Sequence, residues 1–163
     1  MDRDGVINED SGYVHKIKEF IWKKNLIKAI KYLNDNNFYV FIVTNQAGVS
    51  RGYYKENDVI KLHQWLSYEL NKKGAYIDDF FYSLYHESSK KKFTHREKKL
   101  RKPDTGMIKL AMSKWKILSK KSIVIGDKET DIEMAKRANL KSYLMKDKTN
   151  LLKVVKQFHK RVI

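Results

Sequence analysis

Asp2-Arg3-Asp4-Gly5-Val6-Ile7-Asn8 places two carboxylates two positions apart and follows them at once with a glycine. In extended backbone, side chains at i and i+2 point to the same face. Asp2 and Asp4 can therefore serve one site, and Gly5 lets the chain turn sharply behind them. Such a pair suits two roles, one carboxylate attacking or holding a metal and the other moving a proton. The D-x-D-G start of a calcium loop is excluded, because the later ligand positions lack the required third carboxylate or amide and the terminal Glu. Taken alone, the stretch could equally be a solvated polar loop. Three further polar clusters decide against that: Thr44-Asn45-Gln46, Arg101-Lys102-Pro103 and Gly126-Asp127-Lys128, with Asp131 one turn later.

Elements of a recognisable kind must position these clusters. The apolar stripe Leu26, Ile27, Ile30, Leu33 predicts a helix from Asn25 to about Asn36. Phe38–Val43 is a continuous apolar run, as in a strand covered on both faces of a parallel sheet. A second helix is expected over about 55–72 and a strand within 77–85. A long basic loop follows over 86–101, with Pro103 at the first position of the helix it opens. Asp104 is expected to cap that helix, which runs to about Trp115. A strand at 122–125, a helix at about 130–138, a strand at 141–145 and a helix at 150–160 complete the pattern. This alternation argues an α/β fold with a doubly wound parallel sheet in a single domain, residues 1–163. In such a sheet, ligands bind beyond the C-terminal ends of the strands, where the Asp2, Thr44 and Asp127 clusters fall. Three carboxylates, a hydroxyl and a lysine converging there suit phosphoryl transfer.

Composition narrows the partners. The 163 residues carry 35 Lys plus Arg against 19 Asp plus Glu, a net charge of +16, which suits a polyanionic partner or simply a lysine-rich surface. With no cysteine there is no disulfide, and a cytoplasmic location is expected. No run of about 18 apolar residues is present, so no membrane association is expected. No signal peptide is visible at the polar N-terminus.

The clusters, in this order, resemble the four motifs of the haloacid dehalogenase (HAD) superfamily of phosphatases. The stretches DRDGVIN, GYVH, VTNQAGVSRG, RKPDTGM and GDKETD are similar to the branch that comprises heptose bisphosphate phosphatases and the related histidinol-phosphatases. The resemblance implies a capless fold with a small open pocket. It implies Asp2 as the nucleophile that forms an aspartyl-phosphate and Asp4 as the acid and then base. Thr44 and Lys102 would hold the transferring phosphoryl group. Mg²⁺ would be bound by Asp2, the Asp4 backbone carbonyl and Asp127, with Asp131 behind them unless it merely caps its helix. Asp10, Ser11, Gly12, Tyr13, Asn45, Gln46, Arg101 and Lys128 would contact a phosphorylated sugar substrate. A monomer is expected.

The chain departs from the family pattern in two places. Many members of the branch hold a structural zinc in the loop before the Arg-Lys-Pro motif, but the aligned positions here are Ser83, Tyr85, Lys98 and Leu100, none a usual zinc ligand. No structural zinc is expected. The loop instead gains Lys90, Lys91, Lys92, Arg96, Lys98 and Lys99, either merely solvated or steering an anionic substrate over 87–100. Secondly, only Met1 precedes Asp2, where the fold normally has a strand of about five apolar residues. The N-terminal strand is thus expected to be missing from this sequence, with a rearranged sheet as the alternative.

Three function readings stay open at this level: a heptose bisphosphate phosphatase for surface polysaccharide, a phosphatase for histidinol phosphate or another small phosphomonoester, and, from a different class, a nucleic-acid-binding or DNA-end-processing protein. No nucleic-acid-binding motif is present and the aromatics fall at core spacing, so a nucleic acid partner is not expected.

Overall fold

The fold, a computed structural model describing residues 1–89 and 92–162, has four parallel strands with helices on both faces. α1 (Leu26–Asp35), β1 (Phe41–Asn45), α2 (Glu56–Asn71), β2 (Asp79–Ser83), α3 (His95–Lys98), α4 (Gly106–Lys114), β3 (Ile123–Gly126), α5 (Glu129–Arg137), β4 (Lys141–Leu144) and α6 (Leu151–Lys160) follow in order. β1 pairs with β2 and β3 with β4, both in parallel.

The period of two along each strand sorts the core onto two faces. Ile42, Phe80 and Ile125 join the cluster of α1, α2 and α6, around Ile30, Leu66 and Val154. Their neighbours Val43, Phe81 and Val124 join the cluster of α4 and α5, around Met107 and Met134. That alternation is what a doubly wound sheet requires.

The two strand pairs do not form one ladder. Among the described residues, the start of the chain bridges β1 and β3. The Met1 amine donates to Phe41 O (2.7 Å). Val43 N donates to Met1 O (2.8 Å) and Asp2 N to Ile125 O (2.9 Å). Behind Met1 an apolar cavity of about 460 Å³ runs between the strands, walled by Phe41, Ile125, Ala111, Val155 and Phe158 among others. Burial pushes the Met1 amine down to about 6.

Several boundaries differ from the periodicity reading. β1 starts at Phe41 rather than Phe38, because Val40 N donates to the Asp78 carboxylate (2.6 Å) instead of continuing the ladder. It extends through Thr44 and Asn45, which keep register with Tyr82 and Ser83. Asp104 does not cap α4. Thr105 holds the N-cap position, and Asp104 pairs with Lys99 and Arg137. Pro103 follows a cis peptide bond and lies before the helix, not at its first position. The basic loop contains α3, closed by Thr94 and Glu97 in a capping box. Lys90 and Lys91 lie outside the described residues.

Candidate active site

Asp2 is held from both strand pairs by its place after Met1, and Arg3 N donates to its Oδ1 (2.7 Å). Lys102 reaches it from the segment before α4. Lys102 Nζ lies 2.8 Å from Asp2 Oδ2 and 2.6 Å from Asp131 Oδ1, and also donates to Val43 O (3.2 Å). All three residues are buried, at 5% (Asp2), 3% (Lys102) and 1% (Asp131) exposure. Burial pulls the Lys102 ammonium pKa down, but the charges of Asp2 and Asp131 outweigh that and raise it. The lysine is therefore a fixed cation. Its three ammonium hydrogens have three acceptors inside the protein. Lys102, expected to hold the phosphoryl group, also holds the candidate nucleophile Asp2 in place.

Carboxylate oxygens of Asp2, Asp127 and Asp131 come within 4.8 Å of one another. Asp127 Oδ1 is buried with no hydrogen-bond partner. Burial, with the charges of Asp2 and Asp131 overriding the opposing pull of Lys128, pushes the Asp127 carboxyl up to about 6. An orphaned buried oxygen beside two further carboxylates fits a hard divalent cation. The backbone makes room for the cluster: a Cβ on Gly5 would lie 2.2 Å from Asp127 Oδ2, and one on Gly126 would lie 2.2 Å from the Asp131 side chain. Asp131 Oδ2 also caps α5, accepting from Lys128 N (3.3 Å). It is both a helix cap and a member of the cluster. A polar cavity of about 210 Å³ opens beside Asp127, bounded by Gly5, Asp10 and Lys146. The larger apolar cavity behind Met1 has none of these carboxylates in its wall.

Asp4 is oriented by three neighbours. Arg3, fully buried, makes an ion pair with it (3.0 Å). Asn8 Nδ2 donates to Asp4 Oδ1 (2.9 Å) and Gln46 Nε2 to Asp4 Oδ2 (3.1 Å). Gln46 Nε2 also donates to Thr44 Oγ1 (3.0 Å), and Tyr54 OH fixes the other end of that amide at 2.9 Å. Expected to line the substrate pocket, Gln46 is 1% exposed and ties Asp4 to Thr44. Asn45 likewise clamps the Lys102 backbone in both directions, at 3.0 and 3.2 Å. Arg3, Asn8 and Tyr54 were missed by motif reading. The signal was an arginine between two aspartates, which local spacing would have turned away from both.

The expected substrate stretch lies on an exposed turn. Asp10 accepts from Gly12 N (3.0 Å) and from Lys128 Nζ (2.9 Å), which joins it to the Asp127 loop. Ser11, Gly12 and Tyr13 are exposed, with positive φ at Gly12 and Tyr13. Arg101 Nη1 donates to Tyr85 O (3.1 Å). At the family's zinc positions, Ser83 is buried in β2, Tyr85 packs on Phe93 with its ring centroid 5.4 Å away, Lys98 lies over the Tyr85 ring, and Leu100 packs into the core.

These features meet close relatives among known proteins. A D-glycero-β-D-manno-heptose-1,7-bisphosphate 7-phosphatase of Rhodopseudomonas palustris is 40% identical over 143 residues, covering 88% of this chain and 79% of its own. The chain belongs to the HAD superfamily of phosphatases. The HAD-hydrolase-like family description matches residues 99–158. A D-glycero-α-D-manno-heptose-1,7-bisphosphate 7-phosphatase of Photorhabdus laumondii is 38% identical, covering 86% of this chain and 76% of its own. Among solved structures, a HAD-like phosphatase from Mesorhizobium loti superposes with a TM-score of 0.85 at 26% identity, over 98% of this chain and 84% of its own. The heptose bisphosphate phosphatase of B. bronchiseptica, crystallised with magnesium and phosphate, gives a TM-score of 0.83 at 23% identity, over 98% and 96%. This last likeness is one of fold.

Proposed function

We propose that the chain is a Mg²⁺-dependent phosphatase that removes the 7-phosphate from D-glycero-D-manno-heptose 1,7-bisphosphate, as a monomer in the cytoplasm. The observation that carries the reading is the buried Asp2–Lys102–Asp131 ion triad beside the orphaned Asp127 oxygen. The names of the relatives supply the substrate. Asp2, Asp127 and the Asp4 carbonyl would hold Mg²⁺, with Asp131 behind them. When bound, the ion supplies positive charge that offsets these carboxylates and the phosphate.

The chemistry of the chain's own residues follows. An Asp2 carboxylate oxygen attacks phosphorus and the bond from phosphorus to the C7 oxygen breaks. Asp4 gives its proton to that oxygen, and the sugar leaves with a 7-hydroxyl. Asp4 then takes a proton from water, whose oxygen attacks the aspartyl-phosphate, releasing inorganic phosphate and the Asp2 carboxylate. Lys102 keeps Asp2 aimed. Thr44 Oγ1 accepts from Gln46, which leaves its own proton for a phosphoryl oxygen.

The test is turnover of a panel of phosphorylated metabolites, including the heptose bisphosphate and histidinol phosphate, with and without Mg²⁺. Asp2→Asn should abolish turnover by several orders of magnitude while the fold is kept. Near-native turnover by this variant would refute the mechanism, and preference for histidinol phosphate would refute the substrate.

A further inference from the structure

Arg3 is fully buried and permanently charged, so its N–H groups need acceptors inside the protein. Two of its nitrogens find them on the side of Asp4. Nε donates to Asp4 Oδ1 (3.2 Å), and Nη2 donates to both Asp4 oxygens (3.1 and 3.0 Å) and to Val14 O (2.5 Å). Nη1 stands outside this grip. It meets His63 Nε2 at 3.5 Å, and among the described residues it has no other acceptor.

His63 is brought there by α2, 60 residues along the chain. Its ring lies over Phe80 of β2, with centroids 4.6 Å apart and planes inclined by 21°, and Tyr82 meets it edge-on at 5.8 Å. The side chain is buried. Burial first, and then the charge of Arg3, holds its pKa down to about 3, so the ring is neutral near pH 7. A guanidinium only donates, so Nε2 accepts and the ring proton sits on Nδ1. An apolar side chain would also fill this place between α2 and β2, without the desolvation cost of an imidazole. What the imidazole adds is a lone pair facing Nη1.

We propose that His63 is a positioning residue for general acid catalysis, acting through Arg3 to hold the Asp4 carboxylate in one orientation. The proposal rests on the phosphatase reading, in which Asp4 protonates the leaving oxygen. Without an acceptor on Nη1, the guanidinium turns to find one, and its fork on Asp4 is lost. Asn8 and Gln46 still donate to Asp4, one to each oxygen. The acid is therefore weakened rather than removed.

The experiment compares kcat/KM, with Mg²⁺, on two esters that differ in their need for an acid. One is the alkyl phosphate turned over fastest by the wild type, the heptose 1,7-bisphosphate on the present reading. The other is para-nitrophenyl phosphate. An alkoxide must be protonated as it leaves, whereas nitrophenolate departs unaided, and kcat/KM reports only the steps up to that departure. His63→Leu should lower the alkyl value by roughly 10- to 100-fold, part of what a general acid supplies, and the aryl value by less than about 3-fold. His63→Gln, whose amide oxygen replaces the lost acceptor, should recover most of the alkyl value. If His63→Leu does not fold, the more adaptable His63→Met is read in its place. If the wild type does not accept the aryl ester, the contrast between the Leu and Gln variants decides alone. Equal losses on both esters would reduce His63 to packing and overturn the proposal. So would an unchanged alkyl value in His63→Leu, or a Gln variant as impaired as the Leu variant. A wild-type chain inactive on every phosphomonoester would overturn the proposed function and this proposal with it, whereas an active wild type with uniform losses in the variants overturns this proposal alone.

Discussion

Replacing Lys102 by methionine tests whether the ion triad organises the site. The volume is nearly conserved, so little cavity energy enters. What is lost is one cation with contacts of 2.8 Å to Asp2, 2.6 Å to Asp131 and 3.2 Å to Val43 O. What remains is two buried carboxylates without their counter-charge. Breaking a buried pair from one side costs about 3–5 kcal/mol. At about 2–4 °C per kcal/mol for a domain of this size, the melting temperature should fall by roughly 6–20 °C without Mg²⁺. The deficit has a pH signature. Burial, then the charge of Asp2, already raises the Asp131 pKa against the pull of Lys102, and without the lysine it rises further. A carboxyl raised in the folded state stabilises at low pH and loses that contribution as pH rises through its folded value. The variant should therefore lie closest to wild type near pH 5 and furthest from it near pH 8. Adding Asp131→Asn to Lys102→Met should recover at least about 1 kcal/mol relative to additivity. Thermal unfolding by circular dichroism across pH 5–8 reads all of this. A drop below about 3 °C, or one independent of pH, would refute the account of Lys102 as the counter-charge of Asp2 and Asp131.

Three other outcomes follow from the geometry. Mg²⁺ should raise the melting temperature more at pH 8 than at pH 5, because Asp127, titrating at about 6, must lose its proton to bind the ion; an equal gain at both values would count against Asp127 as a ligand. Gly5→Ala should weaken Mg²⁺ binding, since its Cβ would meet Asp127 Oδ2 at 2.2 Å, whereas Gly12→Ala, with φ of +80° but nothing within 4 Å, should cost stability alone; titration of both variants with the ion separates the two effects. Placing about five apolar, β-branched residues ahead of Met1 should fill the cavity behind it and raise the melting temperature by more than about 5 °C, while an unchanged melting curve would show that the space accepts no strand.

The strands and helices were legible because their apolar periods are strong, and the four polar clusters because each follows such an element. Finer roles were not. Nothing in the spacing of Gln46 shows that its amide turns inward to join Asp4 and Thr44, since that depends on Tyr54 holding its other end. The acceptors of Lys102 were likewise hidden, because Asp131 and Val43 O lie 29 and 59 residues away in the chain. Arg51 and His86, 35 residues apart, meet only because β1 and β2 lie side by side. Asp104 illustrates the opposite error. Its local suitability as a cap lost to two cations, Lys99 and Arg137.

The seam between the two strand pairs has a mechanical meaning. Asp2 hangs from it, with Thr44 on one side at the end of β1 and Asp127 on the other just past β3. Among the described residues, three backbone hydrogen bonds of Met1 and Asp2 stitch that line, against full ladders within each pair. The relative placement of Asp2, Thr44 and Asp127 is therefore set across this line and not within either ladder. The alignment of Asp2 with Thr44 and Asp127 thus depends on those few bonds and on Lys102, which ties Asp2 to Val43 O and Asp131 across the same line.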